Sequence, residues 1–101
     1  MQKRATYLIP PITGHIDRTE VFDKGLRYIG VDSAGNDLSV EVYDSHMALN
    51  REGKIIRVEG GYLKYDDDGR EFIICDRKNG IFLNFKVGDN GIFTAKYGRE
   101  G

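Results

Sequence analysis

The sequence predicts an all-β domain: a small antiparallel barrel or two-layer sandwich of about seven or eight strands joined mainly by tight hairpins. Three observations predict it. Turn sequences containing glycine recur along the chain, as Asp32-Ser33-Ala34-Gly35-Asn36-Asp37, Asn50-Arg51-Glu52-Gly53-Lys54, Asp66-Asp67-Asp68-Gly69, Arg77-Lys78-Asn79-Gly80 and Gly88-Asp89-Asn90-Gly91. Asn-Gly and Asp-Gly pairs supply the positive φ that hairpin turns need. The runs between these turns are rich in Val, Ile, Phe and Tyr, which suit a pleated, half-buried surface. Several runs also alternate. Ile81, Leu83, Phe85 and Val87 share one face against Phe82, Asn84 and Lys86, and Leu38, Val40 and Val42 alternate with Ser39, Glu41 and Tyr43. That period of two residues buries one face and wets the other.

Taken in order, candidate strands lie at residues 4–9, 20–22, 26–32, 37–44, 54–59, 61–66, 70–76, 80–87 and 91–97, of which the second is doubtful, leaving eight. The first run carries no charge after Arg4 and reads as a paired strand rather than a protected edge. Pro10 and Pro11 end it, and Thr13-Gly14-His15-Ile16-Asp17 follows as a loop. Residues 43–52 suit one helical turn capped by Asp44 or Ser45, but no segment has a sustained apolar i, i+3, i+4 pattern. Residues 79–85 and 90–97 repeat at a spacing of 11, one strand plus one turn, which is hairpin periodicity. Gly60-Gly61 is a turn or a bulge. A bulge there exposes Leu63 and Tyr65 in place of Tyr62 and Lys64. Residues 98–101 read as a flexible tail. A meander of this length leaves edges unless it closes, so the last strand is expected to pair with the first or, through edge strands, with a second copy in a homo-oligomer.

At 101 residues the chain is expected to be one domain. Fifteen Lys and Arg stand against 16 Asp and Glu, so the usual electrostatic basis for non-specific nucleic-acid binding is missing. The single cysteine, Cys75, rules out an internal disulfide framework and favours a reducing compartment. The apolar stretch up to Ile12 is short and broken by Pro10-Pro11, unlike a signal peptide or membrane span. A cytoplasmic protein without membrane attachment is expected.

Chemistry-bearing patterns are few. Three consecutive aspartates, Asp66 to Asp68, lack the alternate spacing of an EF-hand loop and read as the bend of a hairpin. His15 and Asp17 form a candidate binding pair in their loop. Two histidines and one cysteine fall short of a spaced zinc set, so no metal or other cofactor is expected. Asp44-Ser45-His46 is consecutive, whereas a catalytic triad is assembled by geometry. Neither a P-loop nor a dinucleotide fingerprint is present. No enzymatic activity is expected.

Alternation places Tyr43 outward, and Tyr62 on one face with Lys64. Outward tyrosines beside cations suit protein partners or stacked bases. The expected function is a non-enzymatic protein-binding module, such as an inhibitor, immunity-type or adaptor protein, by analogy with short stand-alone β proteins including those of phages and mobile elements. Its expected binding residues are His15, Asp17, Tyr43, Tyr62 and Lys64. A small anionic ligand such as a nucleotide is the alternative, favoured if Arg27, Arg57, Lys64 and Arg70 cluster around aromatics. Single-stranded nucleic acid on a small barrel is the third, opposed by the net charge of −1.

Overall fold

The computed structural model describes residues 5–66 and 68–100, and among them every regular element is a β-strand. In chain order these are β1 (Ala5–Tyr7), β2 (Ile12–Val21), β3 (Gly25–Asp32), β4 (Asp37–Tyr43), β5 (His46–Arg51), β6 (Lys54–Glu59), β7 (Gly61–Tyr65), β8 (Glu71–Asp76), β9 (Ile81–Val87) and β10 (Ile92–Glu100). They form one antiparallel sheet in the order β6-β5-β4-β3-β2-β10-β9-β8-β7, with β1 also on β10. The all-β antiparallel class is as expected, while the strand count is ten.

Two of the additional strands correct the reading of segments. Residues 12–21, taken as a loop with a short strand at its end, are β2, and residues 43–52, taken as a helical turn, contain β5. In β5, Met47 and Leu49 are buried between the half-buried His46, Ala48 and Asn50, a strand alternation rather than a helical one. Residues 98–100 are also not a tail. Gly98 and Arg99 pair with β9, and Gly98 to Glu100 pair with β1, as expected for a last strand meeting the first.

The ends of the sheet order, β6 and β7, are consecutive in the chain with only Gly60 between them. The sheet therefore curls until its two outermost strands meet at one corner, and β6 packs against β8 and β9. A Cβ on Gly60 would lie 2.1 Å from the Cys75 carbonyl oxygen, so only glycine fits the corner. The Gly60 N–H donates to the Ser45 carbonyl at 3.1 Å, fastening the corner to the β4–β5 turn.

Both halves of the curled sheet supply one core. Val40, Val42, Met47 and Leu49 come from the first, and Phe72, Ile74, Leu83, Phe85 and Phe93 from the second. Tyr28 of β3 bridges them, with ring centroids 5.0 Å from Phe85 and 6.1 Å from Phe72. Each fully buried aromatic contributes about 1.5–3 kcal/mol of transfer free energy.

Pro10-Pro11 interrupts a single long strand. Tyr7 opposes Gly98 and Ile12 opposes Ala95, so the chain places four residues between these pairs where β10 places two. Prolines lack the N–H that a ladder requires, and the excursion accommodates them.

One-residue bulges decide which residues face out. In β2 the register shifts between Ile16 and Arg18, leaving Asp17 as the extra residue. Ile12 and Ile16 are buried before it; beyond it Arg18 opposes Ile29 and Glu20 opposes Arg27, so both charges reach the outer face. In β7 the shift falls between Tyr62 and Lys64, at Leu63 rather than at Gly60-Gly61.

Asp and Asn side chains close the turns. Asp32 Oδ1 accepts the N–H groups of Ala34 and Asn36, both at 2.9 Å, and Asp76 Oδ1 accepts that of Lys78 at 3.0 Å. Asn50 Oδ1 accepts Gly53 N–H at 3.0 Å, and Asn90 Oδ1 that of Ile92 at 3.0 Å. These are the local side-chain bonds that favour Asx residues in turns. Asp66 belongs to the same set: its Oδ1 accepts Asp68 N–H at 2.9 Å and its carbonyl accepts Gly69 N–H at 2.8 Å. The aspartate run is thus the β7–β8 bend; Asp67 lies outside the described residues.

Candidate interaction surface

On the outer face of the first half, strand register brings Glu20, Arg27 and Glu41 into one row across β2, β3 and β4. The Arg27 guanidinium spans both carboxylates, donating to Glu20 Oε1 at 3.2 Å and to Glu41 Oε2 at 3.2 Å. The Tyr43 hydroxyl donates to the same Glu41 oxygen at 2.5 Å. That hydroxyl, ahead of Arg27, holds the Glu41 carboxyl below its ordinary range, while Glu41 pushes the Tyr43 phenol up.

Aromatic rings flank this row. The Tyr43 ring stacks on His46 with centroids 4.5 Å apart, across the β4–β5 turn. At the β2–β3 hairpin, Arg27 lies 4.8 Å from the centroid of Phe22, a cation–π distance. Phe22 remains 38 % exposed, so the ring offers apolar surface to a partner. Phe22, Asp23, Lys24, Arg27 and Tyr43 together line a shallow depression.

The expected site residues do not form one site. His15 and Asp17 do meet: Nδ1 lies 3.0 Å from Asp17 Oδ1, with both side chains exposed on β2 beside the bulge rather than in a loop. Tyr43 belongs to the Arg27 row. Tyr62 does not share a face with Lys64, because the extra residue at Leu63 separates their parities. Tyr62 opposes buried Ile74, and its hydroxyl donates to the carbonyls of Tyr43 at 2.5 Å and His46 at 3.1 Å. Lys64 lies on the outer face of the second half, 2.6 Å from Glu71 Oε1. Leu63 and Tyr65 are 50 % and 46 % exposed, and the Tyr65 ring edge also meets Phe72 at 5.0 Å.

The four cations whose clustering would favour a small anionic ligand each pair with carboxylates of their own. Arg57 holds Glu59 at 2.8 Å and Arg70 holds Asp89 at 2.6 Å, apart from the Arg27 and Lys64 pairs. Sequence reading missed Phe22, Glu20 and Glu41 as members of the surface. Their convergence depends on the register across three strands, and Glu20 reaches its row only because of the Asp17 bulge.

Among the described residues no group of three or more His, Cys, Asp or Glu side chains could hold a metal ion. Burial pushes the Cys75 thiol up, away from the thiolate a reactive cysteine needs. No helix among the described residues is long and apolar enough to cross a membrane. Comparison with protein-family models, curated proteins and solved structures finds no match.

Proposed function

We propose that the chain is a non-enzymatic, cytoplasmic protein-binding module, an inhibitor or adaptor, that engages its partner through Phe22, Arg27, Tyr43 and His46. One observation carries this reading: these partly exposed side chains are already held in place by one another and by Glu20 and Glu41. Arg27 is gripped by two carboxylates, Tyr43 by Glu41 and His46, and Phe22 lies against Arg27. Ordering long side chains on association costs about 0.5–1.5 kcal/mol each, and a surface ordered beforehand avoids much of that cost. Tyr and Arg are also the types that dominate interface energetics.

The test is quantitative capture from lysate of the source cell with wild type, Phe22→Ala, Tyr43→Ala and the distant Lys96→Ala. A protein retained by wild type and Lys96→Ala, and reduced about tenfold by either patch variant, supports the reading. Equal retention by all four chains, or none by any, rejects it.

A further inference from the structure

At one end of the curled sheet, the β3–β4 and β5–β6 turns meet the segment entering β2 around a polar cavity of about 340 Å³. Arg51 and Lys54 line it and stand directly opposite each other in the β5–β6 ladder. Their strand parity is that of Leu49 and Ile56, so they extend the inner row to its open end. Like charges directly opposite on adjacent strands are destabilising. Their compensation is incomplete. The ion pair from Arg51 reaches Asp32 at 3.9 Å, and Lys54 makes none among the described residues.

Asp32 is already committed, since its oxygens accept Ala34 N–H, Asn36 N–H and, at 3.0 Å, Asn36 Nδ2. Glu52 is the other carboxylate on the wall, at the tip of the turn between the cations. Thr13 and Ser33 add hydroxyls. The lining therefore combines two cations, Arg51 and Lys54, with two carboxylates, Asp32 and Glu52, and two hydroxyl-bearing residues, Thr13 and Ser33.

We propose that this cavity binds a dianionic phosphate group, either free or as the phosphate of a small hydroxylated ester. Lys54 has no carboxylate partner among the described residues and Arg51 reaches Asp32 only at 3.9 Å, so both cations keep capacity for an anion, and a guanidinium presents paired donors to adjacent phosphate oxygens. The hydroxyls of Ser33 and Thr13 complete the donor set, while Glu52 and Asn36 offer acceptors to hydroxyl groups of an ester. The volume lies near the lower end of the ligand-site range of about 300–1,000 Å³. No aromatic ring lines the cavity among the described residues, so a small polar ester suits it better than a base-bearing nucleotide. Phe22, Arg27, Tyr43 and His46 take no part in it, and the site stands or falls apart from the protein-binding surface.

The experiment titrates inorganic phosphate and, separately, glycerol 3-phosphate into the full chain while amide shifts are followed by NMR. Sodium chloride at matched ionic strength is the control. Saturable shifts at Ser33, Asn36, Arg51 and Lys54 are expected at millimolar or lower concentration. Affinity should fall about tenfold in Lys54→Ala and in Arg51→Ala and stay unchanged in Lys96→Ala. Tighter binding of glycerol 3-phosphate assigns the site to an ester, and binding of inorganic phosphate at least as tight assigns it to the free anion. Failure to saturate by about 20 mM, equal shifts with chloride, or undiminished binding in Lys54→Ala overturns the proposal. Lys54 is exposed and outside the core, so its truncation keeps the fold; circular dichroism of each variant checks this.

Discussion

The Tyr28 hydroxyl donates to the Gly69 carbonyl at 2.6 Å, tying β3 in one half of the sheet to the β7–β8 turn of the other. Tyr62 makes the reciprocal tie, from β7 to the carbonyls of Tyr43 and His46 at the β4–β5 turn. Curling the sheet brings these partners together, and the two phenols latch it from opposite sides.

Tyr28→Phe should keep the ring packing and lose the latch, at about 1 kcal/mol. For a domain of this size that lowers the thermal midpoint by about 4–8 °C. Burial, before the nearby Tyr65 and Asp66, pushes the Tyr28 phenol up from 10.0 to about 12. The unfolded chain therefore releases this proton at lower pH than the folded one. Stability is retained below pH 10.0 and lost as pH rises toward 12. Chemical denaturation across that interval should show a shallower decline in Tyr28→Phe than in wild type; parallel curves would exclude Tyr28 as a source of alkaline sensitivity.

Asp32 supports the β3–β4 turn, and acid should weaken it. The Asn36 N–H, then its side-chain amide, and the Ala34 N–H hold the carboxyl below its ordinary value of 3.8 against the opposing effect of burial. Its contribution is present above that value and is lost as pH falls through the lower folded-state pKa. Asp32→Ala should cost about 1–3 kcal/mol at neutral pH, because the turn loses its hydrogen bonds to a charged acceptor, and its stability should vary less below pH 3.8. Urea unfolding at neutral and acid pH measures both. An undiminished acid response in the variant would place the sensitivity in other carboxylates.

The β5–β6 turn carries a correctable strain. Arg51 pairs with Lys54, leaving Glu52-Gly53 as a two-residue loop with φ of 52° and 82°. Both central residues of such a turn need positive φ, which Asn tolerates better than Glu. Glu52→Asn should stabilise by about 0.5–1 kcal/mol, raising the thermal midpoint by a few degrees. An unchanged or lower midpoint would show that Glu52 makes a compensating contribution.

Strands were legible where alternation was regular and a glycine turn bounded it, as at 37–44, 54–59 and 80–87. The repeat at a spacing of 11 was the pair of turns leading into β9 and β10. β2 was hidden because Asp17 changes parity midway, so Arg18 and Glu20 sit where unbroken alternation would bury them. The same device in β7 reversed the expected facing of Tyr62. A single extra residue leaves no compositional mark, and only the partner strand reveals it. His15 and Asp17 were legible as a pair because they lie two residues apart. The Arg27 row was not, since its carboxylates come from β2 and β4.

The curl itself rests on Gly60. Two sheet ends separated by one residue can meet only if the chain turns sharply against β8, where the Cys75 carbonyl oxygen leaves 2.1 Å for any Cβ. That obstacle is backbone, so it cannot swing aside as a flexible side chain would. Gly60→Ala must then displace β8 or open the corner, losing the Gly60 N–H bond to Ser45 and straining the Tyr62 latch beside it. The expected cost exceeds about 3 kcal/mol, well above the usual penalty for a surface substitution. Neighbouring Gly61 has nothing within 4 Å of its added Cβ, so Gly61→Ala should be nearly neutral. Urea unfolding of the two variants makes the comparison internal: equal midpoints would show that the corner relaxes freely, and a large gap would locate the closure of the sheet at Gly60.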